Sequence, residues 1–169
     1  DNLIELVSKF MPEVLRIGKR VAIFTGVQNV WKYPKGDWMI AYTWNTTATY
    51  GKFGYNQWQP IVLWGQDIKG FGSVNEELKS DVIRFSGGNS VGFRREHKDK
   101  NHPCPKPENI IKNLIARLSN EGENVLDCFN GSGTTCVAAK QLGRKFIGIE
   151  ISEKYCKIAD DRLRQEILF

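Results

Sequence analysis

Apolar residues recur at helical spacing at the beginning of the chain and in strand-like blocks after it. Between residues 3 and 15 they fall every three or four positions, which predicts an amphipathic helix ending at Gly18. The apolar residues of this helix are Leu3, Leu6, Val7, Phe10, Met11, Val14 and Leu15. Three blocks rich in branched and aromatic residues then predict strands, namely VAIFTG from residue 21, DWMIAYTWNT from 37 and QPIVLWGQ from 59. A polar, glycine-bearing loop is expected over residues 45–57.

The last third of the chain alternates helical and strand-like segments with short links. Pro107 suits the first turn of a helix whose apolar face comprises Ile110, Ile111, Leu114, Ile115 and Leu118. The strand NVLDCF, a glycine turn, a helix that ends at Gly143 and the strand KFIGIE follow in that order. Ser152 is the expected N-cap of a last helix, whose shared face carries Tyr155, Ile158, Ala159 and Leu163. This alternation predicts an α/β fold with a mostly parallel sheet and helices on both faces.

Residues 66–101 differ from both of these regions. Gly, Ser, Asn and charged residues dominate there, and the apolar period fades. Basic side chains lie near flexible glycines in this stretch, at Arg94, Arg95, Lys98 and Lys100. We expect a long loop region, and such loops in compact domains are usually functional or disordered.

Composition and charge narrow the class of protein. The chain has 169 residues, 41% of them hydrophobic and 25% charged, which is ordinary for one globular domain with a sizeable core. No apolar run approaches the roughly 18 to 20 residues of a membrane helix, so a cytoplasmic location is expected. Lys and Arg number 24 against 19 acids, a net charge of +5. That excess suits a polyanionic partner, and it equally suits a basic protein without one.

The cysteines do not form a metal-binding pattern. Cys104, Cys128, Cys136 and Cys156 contain no C-x-x-C pair, and the two histidines have no ligand spacing with them. We therefore expect no metal site, and free thiols in a reducing compartment.

The glycine turn in DCFNGSGTT, residues 127–135, is the strongest chemical signal in the chain. A triphosphate-binding loop would need Lys after the last glycine, but Thr134 stands there. A dinucleotide fingerprint would need Gly or Ala three residues after Gly133, where Cys136 stands instead, and Asp127 would repel a pyrophosphate. A nucleoside without phosphate, such as S-adenosylmethionine with its cationic sulfonium, meets neither objection. A turn whose glycines only allow close packing is the remaining alternative.

Two carboxylates favour the cationic nucleoside. Asp127 ends one strand and can attract an ammonium or sulfonium group. Glu150 ends the next strand, at about the spacing from which a carboxylate accepts hydrogen bonds from ribose hydroxyls.

The segment from DCFNGSGTT to residue 164 resembles the cofactor-binding half of DNA amino-methyltransferases, which modify adenine N6 or cytosine N4. The usual form of the family's motif is Asp-Pro-Phe-x-Gly-Ser-Gly-Thr-Thr, and Cys128 replaces its proline here. HPCPKPENII is similar to the family's His-Pro-x-x-Lys-Pro segment, which helps to hold the methionine end of the cofactor. By this resemblance S-adenosylmethionine is held by Lys106, Pro107, Asp127, Phe129, Asn130, Gly131, Ser132, Gly133, Thr134, Thr135 and Glu150.

The order of the motifs resembles the permuted class of the family called beta. It implies one Rossmann-like methyltransferase domain over residues 1–169, with a substrate-side half at 1–65, a target-recognition region at 66–101 and a cofactor-binding half at 102–169. Double-stranded DNA is the implied partner, in a bacterial or phage modification system. Trp58 is the expected base-contacting aromatic, and Arg94, Arg95, Lys98 and Lys100 are the expected phosphate contacts. Trp38, Trp44 and Trp64 lie in predicted strands and are expected to pack the sheet.

One departure from the family concerns its catalytic tetrapeptide, Asp-Pro-Pro-Tyr or a close variant. The six prolines of this chain are never adjacent, so we assign no catalytic residue and expect the chain to be part of a longer protein. In the family's order, the strand that carries the tetrapeptide would lie between the strands of residues 125–129 and 21–25. Three alternatives stay open: a non-catalytic module that binds S-adenosylmethionine or DNA, a methyltransferase acting on RNA or protein, and a cytosine C5 enzyme with Cys104 as nucleophile.

Overall fold

The computed structural model describes residues 2–44, 49–51, 54–66, 78–85 and 106–165. These residues fall into two compact units, the first reaching to residue 85 and the second beginning at residue 106. The expectation of a single domain stays a prediction. Within the described ranges, no helix has the length and hydropathy needed to cross a membrane.

The first unit is built around a mixed four-stranded sheet. Its elements are α1 (Asn2–Ile17), β1 (Arg20–Phe24), a 3₁₀ turn (Val30–Lys32), β2 (Trp38–Trp44), β3 (Thr49–Gly51), β4 (Gly54–Asn56), β5 (Trp58–Gly65) and β6 (Val82–Phe85). The strand order is β1-β5-β2-β6, and β3 pairs with β4 separately. β5 runs antiparallel to both of its neighbours, whereas β2 and β6 are parallel. The parallel strands β2 and β6 are not consecutive along the chain, because β3, β4 and β5 lie between them.

Two loop predictions are wrong for part of their length. Residues 45–57 contain β3 and β4, and the region 66–101 contains β6. In both places the strand is only three or four residues long, so sequence periodicity gives little signal, and pairing with another strand decides the structure.

α1 covers one face of this sheet. Val7 and Met11 of the helix are 4% and 1% exposed, and they form one core cluster with Val21, Val62 and Trp64 of β1 and β5. Burial of each such side chain contributes roughly 1.5 to 3 kcal/mol. The apolar stripe expected on this helix is narrower than its sequence suggests, because Leu6 and Leu15 are exposed.

The second unit has the predicted alternation of helix and strand. Its elements are α2 (Glu108–Leu118), β7 (Asn124–Asp127), α3 (Thr134–Gln141), β8 (Lys145–Gly148) and α4 (Glu153–Arg164). β7 and β8 are parallel, as expected. α3 packs against both strands and both other helices, and its Ala138 and Ala139 are fully buried. Small side chains there let the helices approach closely. Four of the five residues expected on the face of α2 are buried, namely Ile110, Ile111, Leu114 and Ile115.

Candidate functional site

The carboxyl ends of β7 and β8 lie side by side and carry the two acids singled out in the sequence. Asp127 is the last residue of β7, and its register partner on β8 is Gly148. The pairing continues past the strands, since Ile149 N donates to Asp127 O at 2.8 Å and Asn130 N donates to Ile149 O at 3.0 Å. The glycine turn and Glu150 are therefore held at the same edge of the sheet.

Asp127 starts the turn with its own side chain. Its Oδ1 accepts a hydrogen bond from the backbone N–H of Phe129 at 2.9 Å, the bond of an Asx turn. Gly133 N then donates to Asn130 O at 2.9 Å, which closes the turn before α3 begins. The strand, the turn and the helix thus follow one another without an intervening loop.

Glu150, which follows the neighbouring strand β8, holds the turn by hydrogen bonds. Its Oε2 accepts from Gly131 N at 2.8 Å, and its Oε1 accepts from Ser152 N at 2.9 Å. Hydrogen bonds to a charged group contribute about 1.5 to 3 kcal/mol each, so this side chain is part of the fold. A carboxylate has about four acceptor sites, so it can accept from several partners at once. The expected contact of Glu150 with ribose stays a prediction.

The two glycines of the turn have different roles. Both have left-handed backbone angles, with φ of 52° at Gly131 and 83° at Gly133. A Cβ on Gly133 would lie 2.7 Å from Cβ of Ala159 and 3.0 Å from its Cα. Gly133 therefore allows α4 to approach the turn, as the close-packing alternative expects. Gly131 instead presents its N–H to Glu150.

An arginine that the sequence interpretation missed lies behind the turn. Nη1 of Arg162, on α4, donates to Ser132 O at 2.7 Å, and it also contacts Ser132 Oγ at 3.3 Å and Thr134 Oγ1 at 3.1 Å. Ser132 and Thr134 are buried, with hydroxyls engaged by this guanidinium. No local pattern in the sequence could have identified it, because Arg162 lies 30 residues from Ser132 along the chain.

Lys106 and Pro107, the two expected cofactor contacts of the Lys-Pro segment, lie at the start of α2. Pro107 is buried at the N-cap position, and its carbonyl accepts from Ile110 N and Ile111 N. Lys106, which precedes it, is partly buried. Glu108 Oε2 lies 3.9 Å from Nη2 of Arg162, so the first turn of α2 lies close to the residues that hold the glycine turn.

The thiols near the turn are protonated. Burial is the main cause that raises the pKa of Cys136 to about 11, and the negative charge of Asp127 is the second cause. The same two causes raise the pKa of Cys128. Cys136 donates its S–H to Asn130 Oδ1 at 3.2 Å. Neither thiol is suited to nucleophilic attack at neutral pH, because the thiolate is the reactive form. In the described part of the chain, no three Cys, His, Asp or Glu residues form a group that could hold a metal ion.

The tryptophans of the first unit differ in their exposure. Trp64 is buried and its Nε1 donates to Lys35 O at 3.0 Å, which confirms its expected packing role. Trp38 is 63% exposed, so its expected packing role is wrong. It shares a strand face with the buried Ile40 and Tyr42, but it begins β2. Trp58 begins β5 and is 37% exposed, which leaves part of its ring accessible.

Several expected contacts lie outside the described residues. They are the phosphate contacts Arg94, Arg95, Lys98 and Lys100, together with His102, Pro103 and the alternative nucleophile Cys104.

The fold has clear relatives among solved structures. The PvuII DNA methyltransferase, described as cytosine-N4-specific, matches 78% of this chain and 52% of its own with a TM-score of 0.59 at 18% identity. M1.HpyAVI, crystallised in complex with SAM, matches 97% of this chain and 83% of its own with a TM-score of 0.65 at 22% identity. The expected Rossmann-like methyltransferase fold is thereby confirmed.

Sequence comparison identifies the family. The family model for DNA methylases of the N6/N4 type matches residues 18–161, and the chain belongs to that family. The type II methyltransferase M2.DpnII of Streptococcus pneumoniae is 51% identical over 65 residues, which cover 38% of this chain and 24% of that protein. The chain thus spans about a quarter of the length of this curated relative.

Proposed function

We propose that the chain binds S-adenosylmethionine at the carboxyl edge of β7 and β8 and belongs to an enzyme that methylates DNA. The methyl group would go to the exocyclic amine of adenine (N6) or cytosine (N4). The observation that carries this proposal is the position of two acids beside a turn with left-handed glycines: Asp127 ends β7, and Glu150 lies two residues after the parallel strand β8.

The chemistry of this edge fits a cationic nucleoside. Two carboxylates lie where a ligand at the strand ends would meet them, and negative charge attracts ammonium and sulfonium groups. Phe129 is 60% exposed and Ile151, next to Glu150, is fully exposed. These apolar side chains offer contact area for a purine ring. The solved relative crystallised with SAM supports the same ligand.

The same edge is poorly suited to a phosphate. A phosphate bound at a glycine turn needs free backbone N–H groups. Two of these groups are used within the turn, since Gly131 N donates to Glu150 and Gly133 N donates to Asn130. The negative charges of Asp127 and Glu150 oppose a phosphate further. This argument disfavours ATP and NAD.

The role of these residues in the reaction is to hold and orient the methyl donor. When bound, S-adenosylmethionine supplies an electrophilic methyl group on a sulfonium. Asp127, Glu150 and the Lys106–Pro107 segment would hold its amino-acid and ribose ends. Positioning of two reactants is itself a large part of catalysis. The catalytic tetrapeptide of the family is not assigned to any residue of this chain.

Double-stranded DNA is the proposed substrate, and a base must leave the duplex to be methylated. The family supports DNA, and the similarity to the pneumococcal type II methyltransferase supports a role in a bacterial restriction–modification system. The net charge of +5 suits a polyanion. We propose a cytoplasmic location, since the substrate is there. Trp58, Arg94, Arg95, Lys98 and Lys100 are the proposed DNA contacts.

The test is methyl transfer by the full-length gene product. Labelled S-adenosylmethionine is incubated with duplex DNA or with RNA of the same sequence, and the nucleosides are identified by mass spectrometry. We expect N6-methyladenine or N4-methylcytosine in the DNA arm. Label in RNA alone, or at cytosine C5, would refute the proposal. Binding of the donor without any transfer would favour the alternative of a non-catalytic binding module.

A further inference from the structure

The glycine turn is restrained from two sides by oppositely charged side chains. Glu150 accepts from the N–H of Gly131, and Arg162 donates to the carbonyl of Ser132. The two acids of the candidate site lie on the strand side of the turn, whereas Arg162 comes from α4. Nothing in the family resemblance given above assigns a role to this arginine.

The turn needs such restraint because its backbone is permissive. Ser132 lies between Gly131 and Gly133, and glycine loses more conformational freedom on ordering than any other residue. A ligand that binds against this backbone has to order it unless the protein has already done so. Pre-ordered binding surfaces bind more tightly because that cost is met in folding.

Arg162 is suited to fix a single arrangement of the turn. One guanidinium nitrogen reaches a carbonyl and two hydroxyls, all from the segment of residues 132–134. Its side chain is only 24% exposed, and Ser132 and Thr134 are 5% and 8% exposed, so water competes weakly for these bonds. The guanidinium is a rigid, planar fork of donors, a geometry that a lysine ammonium does not reproduce.

The contact of Arg162 with Glu108 is the weaker of its two attachments. The ion pair is long at 3.9 Å, whereas Glu108 Oε1 lies 2.9 Å from Nζ of Lys112. Partly exposed pairs of this kind contribute little. The bonds to the turn, at 2.7 and 3.1 Å, therefore determine what Arg162 does.

We propose that Arg162 is a positioning residue, which holds the glycine turn in the conformation that receives the methyl donor. This inference rests on the proposed function for the identity of the ligand. The restraint of the turn itself does not depend on that identity, so it can be measured separately.

The experiment compares Arg162→Met and Arg162→Lys with Arg164→Met, a control at an exposed position two residues further along α4. Amide hydrogen exchange of Gly131 and Gly133 is measured by NMR without ligand, and S-adenosylmethionine is titrated by calorimetry. Thermal unfolding shows that each variant is folded at the working temperature.

Arg162→Met should speed exchange at both glycines and raise Kd roughly tenfold, because the ligand would then have to order the turn itself. Arg162→Lys should recover part of each effect, and Arg164→Met should leave both unchanged. If Arg162→Met fails to fold, Thr134→Val removes one acceptor and should give a smaller rise in Kd with faster exchange at Gly133. A Kd within twofold of the wild type in a folded Arg162→Met variant, or unchanged exchange, would overturn the inference.

Failure of the proposed function gives a different result. If the wild type does not bind S-adenosylmethionine but Arg162→Met still loosens both glycines, the ligand is misassigned and the restraint of the turn stands. If the wild type binds and Arg162→Met binds equally well, the positioning role is wrong and the proposed ligand stands.

Discussion

Glu150 Oε2 accepts a hydrogen bond from the backbone N–H of Gly131 at 2.8 Å and so joins the end of β8 to the turn that follows β7. The second oxygen of the same carboxylate accepts from Ser152 N just before α4. One side chain thus connects two strand ends and a helix start. The acid that the sequence assigns to a ligand is also a structural residue, and its substitution should affect both properties.

Glu150→Gln should lower the free energy of unfolding by about 1 to 3 kcal/mol. The glutamine amide keeps one acceptor oxygen, so one of the two N–H groups would face an NH₂ donor. Urea unfolding measures the loss, and Glu153→Gln, at an exposed position on α4, is the matched control. Equal unfolding free energies for the two variants would mean that the Glu150 bonds do not stabilise the turn.

Gly133→Ala should destabilise the protein more than Gly122→Ala. Both glycines have left-handed angles, with φ of 83° and 77°, so both substitutions carry a strain of roughly 1 to 2 kcal/mol. Only the Cβ at position 133 meets another residue, Ala159, and that crowding should add about 1 to 3 kcal/mol. Adding Ala159→Gly to Gly133→Ala should recover part of the extra loss. Equal costs at the two positions would disprove the packing role of Gly133.

The raised pKa of Cys136 predicts a loss of stability at alkaline pH. Its pKa rises from 9.0 in the unfolded chain to about 11 in the folded protein. Between these values the folded state retains a proton that the unfolded state releases, so this contribution is complete below pH 9 and disappears as pH rises to about 11. The fall in unfolding free energy between pH 8 and 10.5 should be smaller in Cys136→Ala by up to about 2 kcal/mol. If the unfolding free energies of the wild type and Cys136→Ala fall in parallel with pH, the pKa of Cys136 is not raised by folding.

Charge reversal in the segment of residues 94–100 should flatten the salt dependence of DNA binding. Each phosphate contact adds about 0.9 to the slope of log K against log salt concentration, so loss of one contact should reduce the slope by about one. The series comprises Arg94→Glu, Arg95→Glu, Lys98→Glu and Lys100→Glu. Lys154→Glu, at an exposed position on α4, is the control. A slope that stays at the wild-type value throughout the series would remove this segment from the DNA interface.

The second unit could be predicted almost completely from its sequence, because each element carries its own local signal. The strand NVLD is short, but it is followed at once by an Asx turn and by glycines with left-handed angles. Gly143, with φ of 71°, follows α3, and Ser152 lies at the N-cap position of α4. The hydroxyl of Ser152 makes no capping bond. Its backbone N–H bonds to Glu150 instead, which only the folded structure reveals.

Two of the misses, β6 and Arg162, depend on distant residues. β6 is four residues long and is defined by its parallel pairing with β2. The exposure of Trp38 follows from its position at the beginning of a strand and not from its residue type. Arg162 lies 30 residues from Ser132 along the chain, and no local pattern indicates that they touch.

The central claim is that the carboxylates at the ends of β7 and β8, beside the glycine turn, form a site for a cationic methyl donor. The most direct test is isothermal titration calorimetry of the folded protein with S-adenosylmethionine, NAD and ATP in separate experiments. We expect saturable heat with one S-adenosylmethionine per chain and none with the two phosphate ligands. No heat with S-adenosylmethionine, together with clean titration by NAD or ATP, would contradict the claim.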